Sequence, residues 1–179
     1  MSYTNRAVDE ICGMLSENAI DYIRIGSEYC CDKRYKSHLL SEYIENNPRL
    51  NVIREQLMAS RVIVGTTSTL QSKSYIFRLK SFSMAIIDEA SQILEPNLVG
   101  LLSHLPKFIL IGDYKQLPAV VQQEANISAV HNTLLHEIGL TNCRNSLFER
   151  LIHVEEAAER SHFVGALQSQ GRMHPAIAA

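Results

Sequence analysis

The chain has 179 residues, 46% of them hydrophobic, and 17 Lys and Arg against 19 Asp and Glu give a net charge of −2. That length and apolar content suit one α/β domain with a sizeable core and exclude a disordered chain. The near-neutral balance excludes a chain-wide basic footprint for nucleic acid, while leaving room for a locally basic groove.

The first residues, MSYTNRAVDE, carry charges early and lack the apolar core of a signal peptide. No apolar run approaches the roughly 20 residues that a membrane span needs. Cys12, Cys30, Cys31 and Cys143 form no C-x-x-C pair, and no His cluster has zinc spacing. Reduced thiols in a cytoplasmic protein, or a nuclear one in a eukaryote, are the expectation.

In chain order, Ser2-Tyr3-Thr4 has the character of a strand end, and a helix follows over 5–18. Val8, Ile11, Cys12 and Leu15 share one face of that helix, and Thr4 or Asn5 caps it. Tyr22–Ile25 reads as a strand. Residues 38–58 are polar and helix-prone, with apolar points at Leu39, Leu40, Ile44, Val52, Ile53 and Leu57. They predict a helical insertion at approximately 28–60 within a single domain of residues 1–179.

Arg61–Gly65, Met84–Asp88 and Phe108–Gly112 are short, near-continuous apolar runs. Such runs predict strands buried on both faces, as in a parallel sheet covered by helices. Residues 123–144 predict a loop with a short helix. Ser146-Leu147-Phe148-Glu149 is a capping box, in which hydroxyl and carboxylate each satisfy a free amide. Phe163–Leu167 predicts a fifth strand, and Met173-His174-Pro175-Ala176 opens another element. A domain rarely starts at the last residue of a strand, so the natural protein is expected to extend upstream.

Two motifs carry chemistry. Ile86-Ile87-Asp88-Glu89-Ala90-Ser91-Gln92 puts adjacent carboxylates at the carboxyl end of a strand, the edge where open parallel sheets bind ligands. One carboxylate can hold hydrated Mg²⁺, and the other can deprotonate a water. Alone, the run equally describes a strand that ends in solvated acids. About 25 residues later, Ile109-Leu110-Ile111-Gly112-Asp113-Tyr114-Lys115-Gln116-Leu117-Pro118 is a second strand ending in an acidic loop. Gly112 would let the backbone approach a ligand. The Gln116 amide could read a terminal phosphate or simply face solvent. His131 and His136 are five apart, poor for one helical face, and read as surface residues.

Together these motifs resemble the superfamily 1 helicases, in the branch of the nonsense-mediated-decay RNA helicases and their DNA-replication relatives. DEASQ resembles the Walker B box of that branch, and GDYKQLPAVV its GDxxQLxPxV motif. Ser2-Tyr3-Thr4-Asn5-Arg6-Ala7-Val8-Asp9 resembles the motif after the phosphate loop. Val64-Gly65-Thr66-Thr67-Ser68 resembles a nucleic-acid-contacting turn. SLFERL at 146–151 and Gln170-Gly171-Arg172-Met173-His174-Pro175 complete the series in order.

The resemblance implies an α/β, RecA-like parallel sheet flanked by helices, the fold of P-loop nucleoside triphosphatases. It implies ATP and Mg²⁺ as ligands, single-stranded DNA or RNA as partner, and movement from 5′ to 3′. By position, Asp88 would hold Mg²⁺, Glu89 would be the general base, Gln116 would sense the γ-phosphate, and Arg172 would stabilise charge. Thr4, Asn5, Thr66, Thr67 and Pro118 would line the strand-binding face. Small hydroxyl and amide groups suit sequence-neutral phosphate contacts, and they equally make helix caps and turns.

Two departures stand out. The sequence contains no G-x-x-x-x-G-K-[ST] and no Gly-Lys pair. The position before Arg172, usually an aromatic that stacks on adenine, is Gly171. Three readings follow: a truncated piece of a working helicase, a short non-catalytic binding protein for nucleic acid or another partner, or a degenerate structural remnant. The retained Asp88, Glu89, Gln116 and Arg172 favour the first. In that reading the missing partners are an upstream segment and a second motor domain, and the piece alone would be inactive and prone to self-association.

Overall fold

In the computed structural model, which describes residues 1–116 and 119–169, helix α1 (Asn5–Glu17) opens the fold. The Thr4 hydroxyl accepts from the Ala7 amide at 3.2 Å and caps it. Its inward stripe includes Val8 and Cys12, both fully buried. Strand β1 (Tyr22–Ile25) follows, covered on both faces.

Between β1 and β2 (Val62–Gly65) the chain is helical, with 3₁₀ turns at Glu28–Cys30 and Lys33–His38, then α2 (Leu40–Asn46) and α3 (Leu50–Ala59). The helix-prone stretch 38–58 thus forms two helices. Pro48 has no amide to donate and disfavours a helical residue before it, so the helix breaks at Asn47. Lys80 covers the end of α3, its ammonium donating to the carbonyls of Leu57 and Met58 at 2.9 Å each and to that of Ser60.

Helices α4 (Thr67–Ser72) and α5 (Tyr75–Leu79) lead to β3 (Ala85–Ile87), and α6 (Glu95–Leu102) crosses to β4 (Phe108–Leu110). A short α7 (Thr133–Glu137) lies in the following loop. Helix α8 (Leu147–Ala157) is capped by the Ser146 hydroxyl, which accepts from Glu149 N at 3.1 Å.

Strands β1 and β2 pair in parallel, as do β3 and β4. The dipeptide Met1-Ser2 joins the pairs. Ser2 N donates to Gly65 O at 3.4 Å, and Ser2 O accepts from Thr67 N at 3.0 Å. On the other side the Met1 amine donates to Ile86 O at 2.8 Å, and Asp88 N donates to Met1 O at 2.9 Å. The spatial order is thus β1, β2, Met1-Ser2, β3, β4, one parallel α/β sheet of RecA-like kind with helices against it.

Burial along this sheet corrects two expectations. The central runs were to be buried on both faces, yet Ile86 is 49% exposed and Phe108 and Ile109 of β4 are 43% and 46% exposed. Among the described residues β4 pairs only with β3, so one edge is uncovered. Phe163–Leu167 forms no strand; Phe163 is 76% and Leu167 94% exposed. A strand exists by pairing with a neighbour, and this segment has none among the described residues. A 400 Å³ groove lined by Phe108, Phe148, Leu151 and Phe163 separates it from β4 and α8.

One ion pair fastens a helix to the sheet, and a second joins two helices. Arg24 in β1, 1% exposed, pairs with Asp9 of α1 and donates to Cys30 O at 3.1 Å. Arg150 of α8 grips Glu95 of α6 with bonds of 2.6 and 2.7 Å, and donates to Ile138 O at 2.6 Å. The cysteines are free thiols: Cys12 and Cys31 are buried and Cys30 is exposed. Burial pushes the Cys12 thiol up to about 11. Among the described residues no helix is long and apolar enough to cross a membrane.

Burial also pushes the Met1 ammonium down from 8.0 to about 6, against the opposing pull of Asp88. Between those values the unfolded chain holds a proton that the folded chain lacks, so this group makes stability rise with pH across that window. The urea midpoint of the 179-residue chain should therefore be higher at pH 8 than at pH 6. Acetylation of the amine should flatten that rise, and an unchanged slope would show that the amine does not titrate with folding.

Candidate active site

Parallel strands align their carboxyl ends, so Ser2, Gly65, Ile87 and Leu110 lead into loops along one edge of the sheet. In spatial order these loops begin with Thr66-Thr67, Thr4-Asn5, Asp88-Glu89 and Asp113–Gln116. Residues far apart in sequence become neighbours at this edge.

Asp88 and Glu89 are both half-buried. The backbone of Asp88 is pinned through its amide to Met1 O, and its carbonyl accepts from the Ser2 hydroxyl at 3.4 Å. Its carboxylate makes no hydrogen bond to another side chain among the described residues, which leaves oxygen lone pairs for a cation. No cluster of three or more His, Cys, Asp or Glu suited to a metal lies among the described residues. This donor set fits Mg²⁺, which takes one or two carboxylates and completes its shell with water and phosphate oxygens. It does not fit a cation that needs an all-protein cage.

Glu89 sits in the left-handed region, with φ 54 and ψ 36. Among the described residues the other two non-glycine residues of positive φ, Ala19 and Glu159, lie just past the ends of α1 and α8, where helices commonly finish that way. Glu89 instead follows a strand. Ala90 N donates to Ile111 O at 2.8 Å and Ile111 N to Ile87 O at 2.8 Å, so the turn is tied to the neighbouring loop. Gln92 closes the turn twice: its amide N–H donates to Glu89 O at 3.0 Å, and its Nε2 donates to Glu89 Oε2 at 3.1 Å. Gln92 was not singled out from the sequence. Its signal was the three-residue spacing from Glu89 across a tight turn.

Gly112 explains the contact between the two loops. A Cβ built there would lie 3.0 Å from Ser91 N and 3.2 Å from Ser91 Oγ. The protein's own DEASQ turn makes a close approach at this glycine. Beyond it, Asp113 Oδ1 accepts from Lys115 N at 2.9 Å, and Asp113 Oδ2 accepts from Gln116 Nε2 at 3.2 Å. Gln116 is exposed but its amide is aimed by Asp113. Tyr114 packs edge-on against His153 of α8, with ring centroids 5.4 Å apart, and anchors the loop.

The hydroxyl and amide residues fall into two groups. Thr4 is exposed and Asn5 half-buried at the start of α1. Thr66 and Thr67 are 6% and 4% exposed, and the Thr66 hydroxyl caps α4 through Thr69 N at 3.1 Å. Both residues are thus buried as a whole, backbone included. Pro118, Gly171, Arg172 and His174 lie outside the described residues.

A family model described as an AAA domain matches residues 45–124. The chain is 31% identical over 172 residues to the DNA replication ATP-dependent helicase/nuclease JHS1 of Arabidopsis thaliana, an alignment covering 96% of this chain and 11% of that protein. It is 32% identical over 152 residues to the human DNA replication ATP-dependent helicase/nuclease DNA2, covering 76% and 13%. It is 30% identical over 154 residues to the DNA-binding protein SMUBP-2 of Mesocricetus auratus, covering 82% and 14%. The chain thus spans about a tenth to a seventh of the length of these relatives.

Proposed function

Since the chain belongs to the superfamily 1 helicases, in the branch that includes the DNA-replication helicase/nucleases, we propose that it forms part of the first motor domain of an ATP-dependent helicase. The motor couples ATP hydrolysis to 5′ to 3′ movement on single-stranded nucleic acid, in the cytoplasm or the nucleus. Residues 1–179 make one partial motor domain with a helical insertion near 28–60. The observation that carries this reading is the meeting of Asp88-Glu89 and Asp113–Gln116 on one sheet edge, beside Thr4 and Thr66.

In this reading Asp88 holds Mg²⁺, which neutralises phosphate charge when bound. Glu89 takes the proton of the attacking water as that oxygen bonds to the γ-phosphorus. The bond from phosphorus to the bridging oxygen breaks, and its electron pair leaves with ADP. Gln116 contacts the γ-phosphate and Arg172 stabilises developing charge. Thr4, Asn5 and Pro118 face the strand, with Thr66 and Thr67 shaping the backbone beside them.

This chain supplies no glycine-rich cradle for the β- and γ-phosphates. The purified 179 residues should therefore release no phosphate from ATP above a Glu89→Gln control, with or without single-stranded DNA. The full-length protein should hydrolyse ATP, and single-stranded nucleic acid should stimulate it. A full-length protein that is inactive with both DNA and RNA would sink the helicase reading. The open edge of β4 and its apolar groove also favour self-association of the isolated chain.

A further inference from the structure

We propose that Gln92 is a positioning residue for the general base, holding the Glu89 carboxylate in the one orientation from which it takes the water's proton. The proposal rests on Glu89 being that base. Three observations support it. The Gln92 side chain donates to Glu89 Oε2 at 3.1 Å, and Gln92 is the side chain that bonds this carboxylate among the described residues. The Gln92 main chain closes the same turn onto Glu89 O at 3.0 Å, so donor and acceptor are fixed in one rigid unit. That unit is docked through Ala90 N to Ile111 O, next to the Asp113–Gln116 loop.

A glutamate has three side-chain torsions, and a half-buried carboxylate without a tether samples several of them. With Oε2 engaged by the Gln92 amide, Oε1 remains to accept the proton. Glutamine suits the task because its amide donates without adding charge. A carboxylate at 92 would repel Glu89, and an apolar side chain would leave it untethered.

The test uses the full-length protein with saturating single-stranded DNA. Gln92→Ala should lower kcat about 10–100-fold, as misplacement of a reacting group does, with KM for ATP unchanged. Gln92→Met, which keeps length but not the donor, should behave the same and serves if the alanine variant folds poorly. Gln92→Glu, which puts a repelling carboxylate in place of the donor, should lower kcat to a similar extent, again with KM for ATP unchanged. Adding Gln92→Ala to Glu89→Gln should cause no further loss. Wild-type kcat in both Gln92→Ala and Gln92→Met would overturn the proposal. If Glu89→Gln itself retains turnover, the assignment of the base fails first, and the two failures are distinguishable.

Discussion

Replacing Glu89 with glutamine should abolish ATP turnover in the full-length protein while sparing ATP binding. The amide keeps the size and hydrogen-bonding shape of the side chain but cannot accept the water's proton at neutral pH. General-base contributions are worth about 10²–10⁴-fold in rate, so kcat should fall by that order. Asp88→Ala should act differently: it removes the candidate metal ligand, so Mg²⁺-dependent ATP binding should weaken along with turnover. Phosphate-release assays and equilibrium binding of a labelled nucleotide separate the two. Near-normal turnover in Glu89→Gln would mean that another group is the base.

The second large effect is structural. Asp9→Ala should destabilise the fold by about 3–5 kcal/mol, the typical cost of leaving one buried charge without its partner. Arg24 is 1% exposed, its Nε is buried without a hydrogen-bond partner, and after loss of Asp9 its guanidinium would keep hydrogen bonds to Cys30 O and a distant Cys12 sulfur, with the Asp32 carboxylate as a nearby charge. Burial already pushes this guanidinium below its ordinary pKa. Domains are stable by roughly 5–15 kcal/mol, so a loss of this size should move the urea midpoint far to the left. The double change Asp9→Ala with Arg24→Met removes both charges and should restore most of the loss. A shift below about 1 kcal/mol in Asp9→Ala would show that solvent reaches Arg24 after all.

Elements whose cause is local were legible in the sequence. Thr4 and Ser146 cap helices because a hydroxyl beside free amides needs nothing else. The helical character of 38–58 is local too, and Pro48 marks the break between α2 and α3. The carboxyl-edge site was legible too, since two apolar runs ending in acids carry their own positions. What was missed depends on partners distant in sequence. Arg24 stands in the middle of an apolar strand, and nothing nearby announces that Asp9, 15 residues away, will meet it. Arg150 and Glu95 are 55 residues apart. Phe163–Leu167 has the apolar content of a strand, yet content alone does not supply a neighbour. Met1-Ser2 shows the converse: two residues serve as a strand because β2 and β3 flank them.

If Glu89 is the general base as proposed, foldability and activity pull in opposite directions at this position. A side chain in the left-handed region costs about 1–2 kcal/mol, and glycine would occupy it without that penalty. Selection for stability alone would drift toward glycine at position 89. The backbone thus records a trade-off: the turn tolerates a disfavoured residue, and the bonds from Ala90 and Gln92 hold it against relaxation.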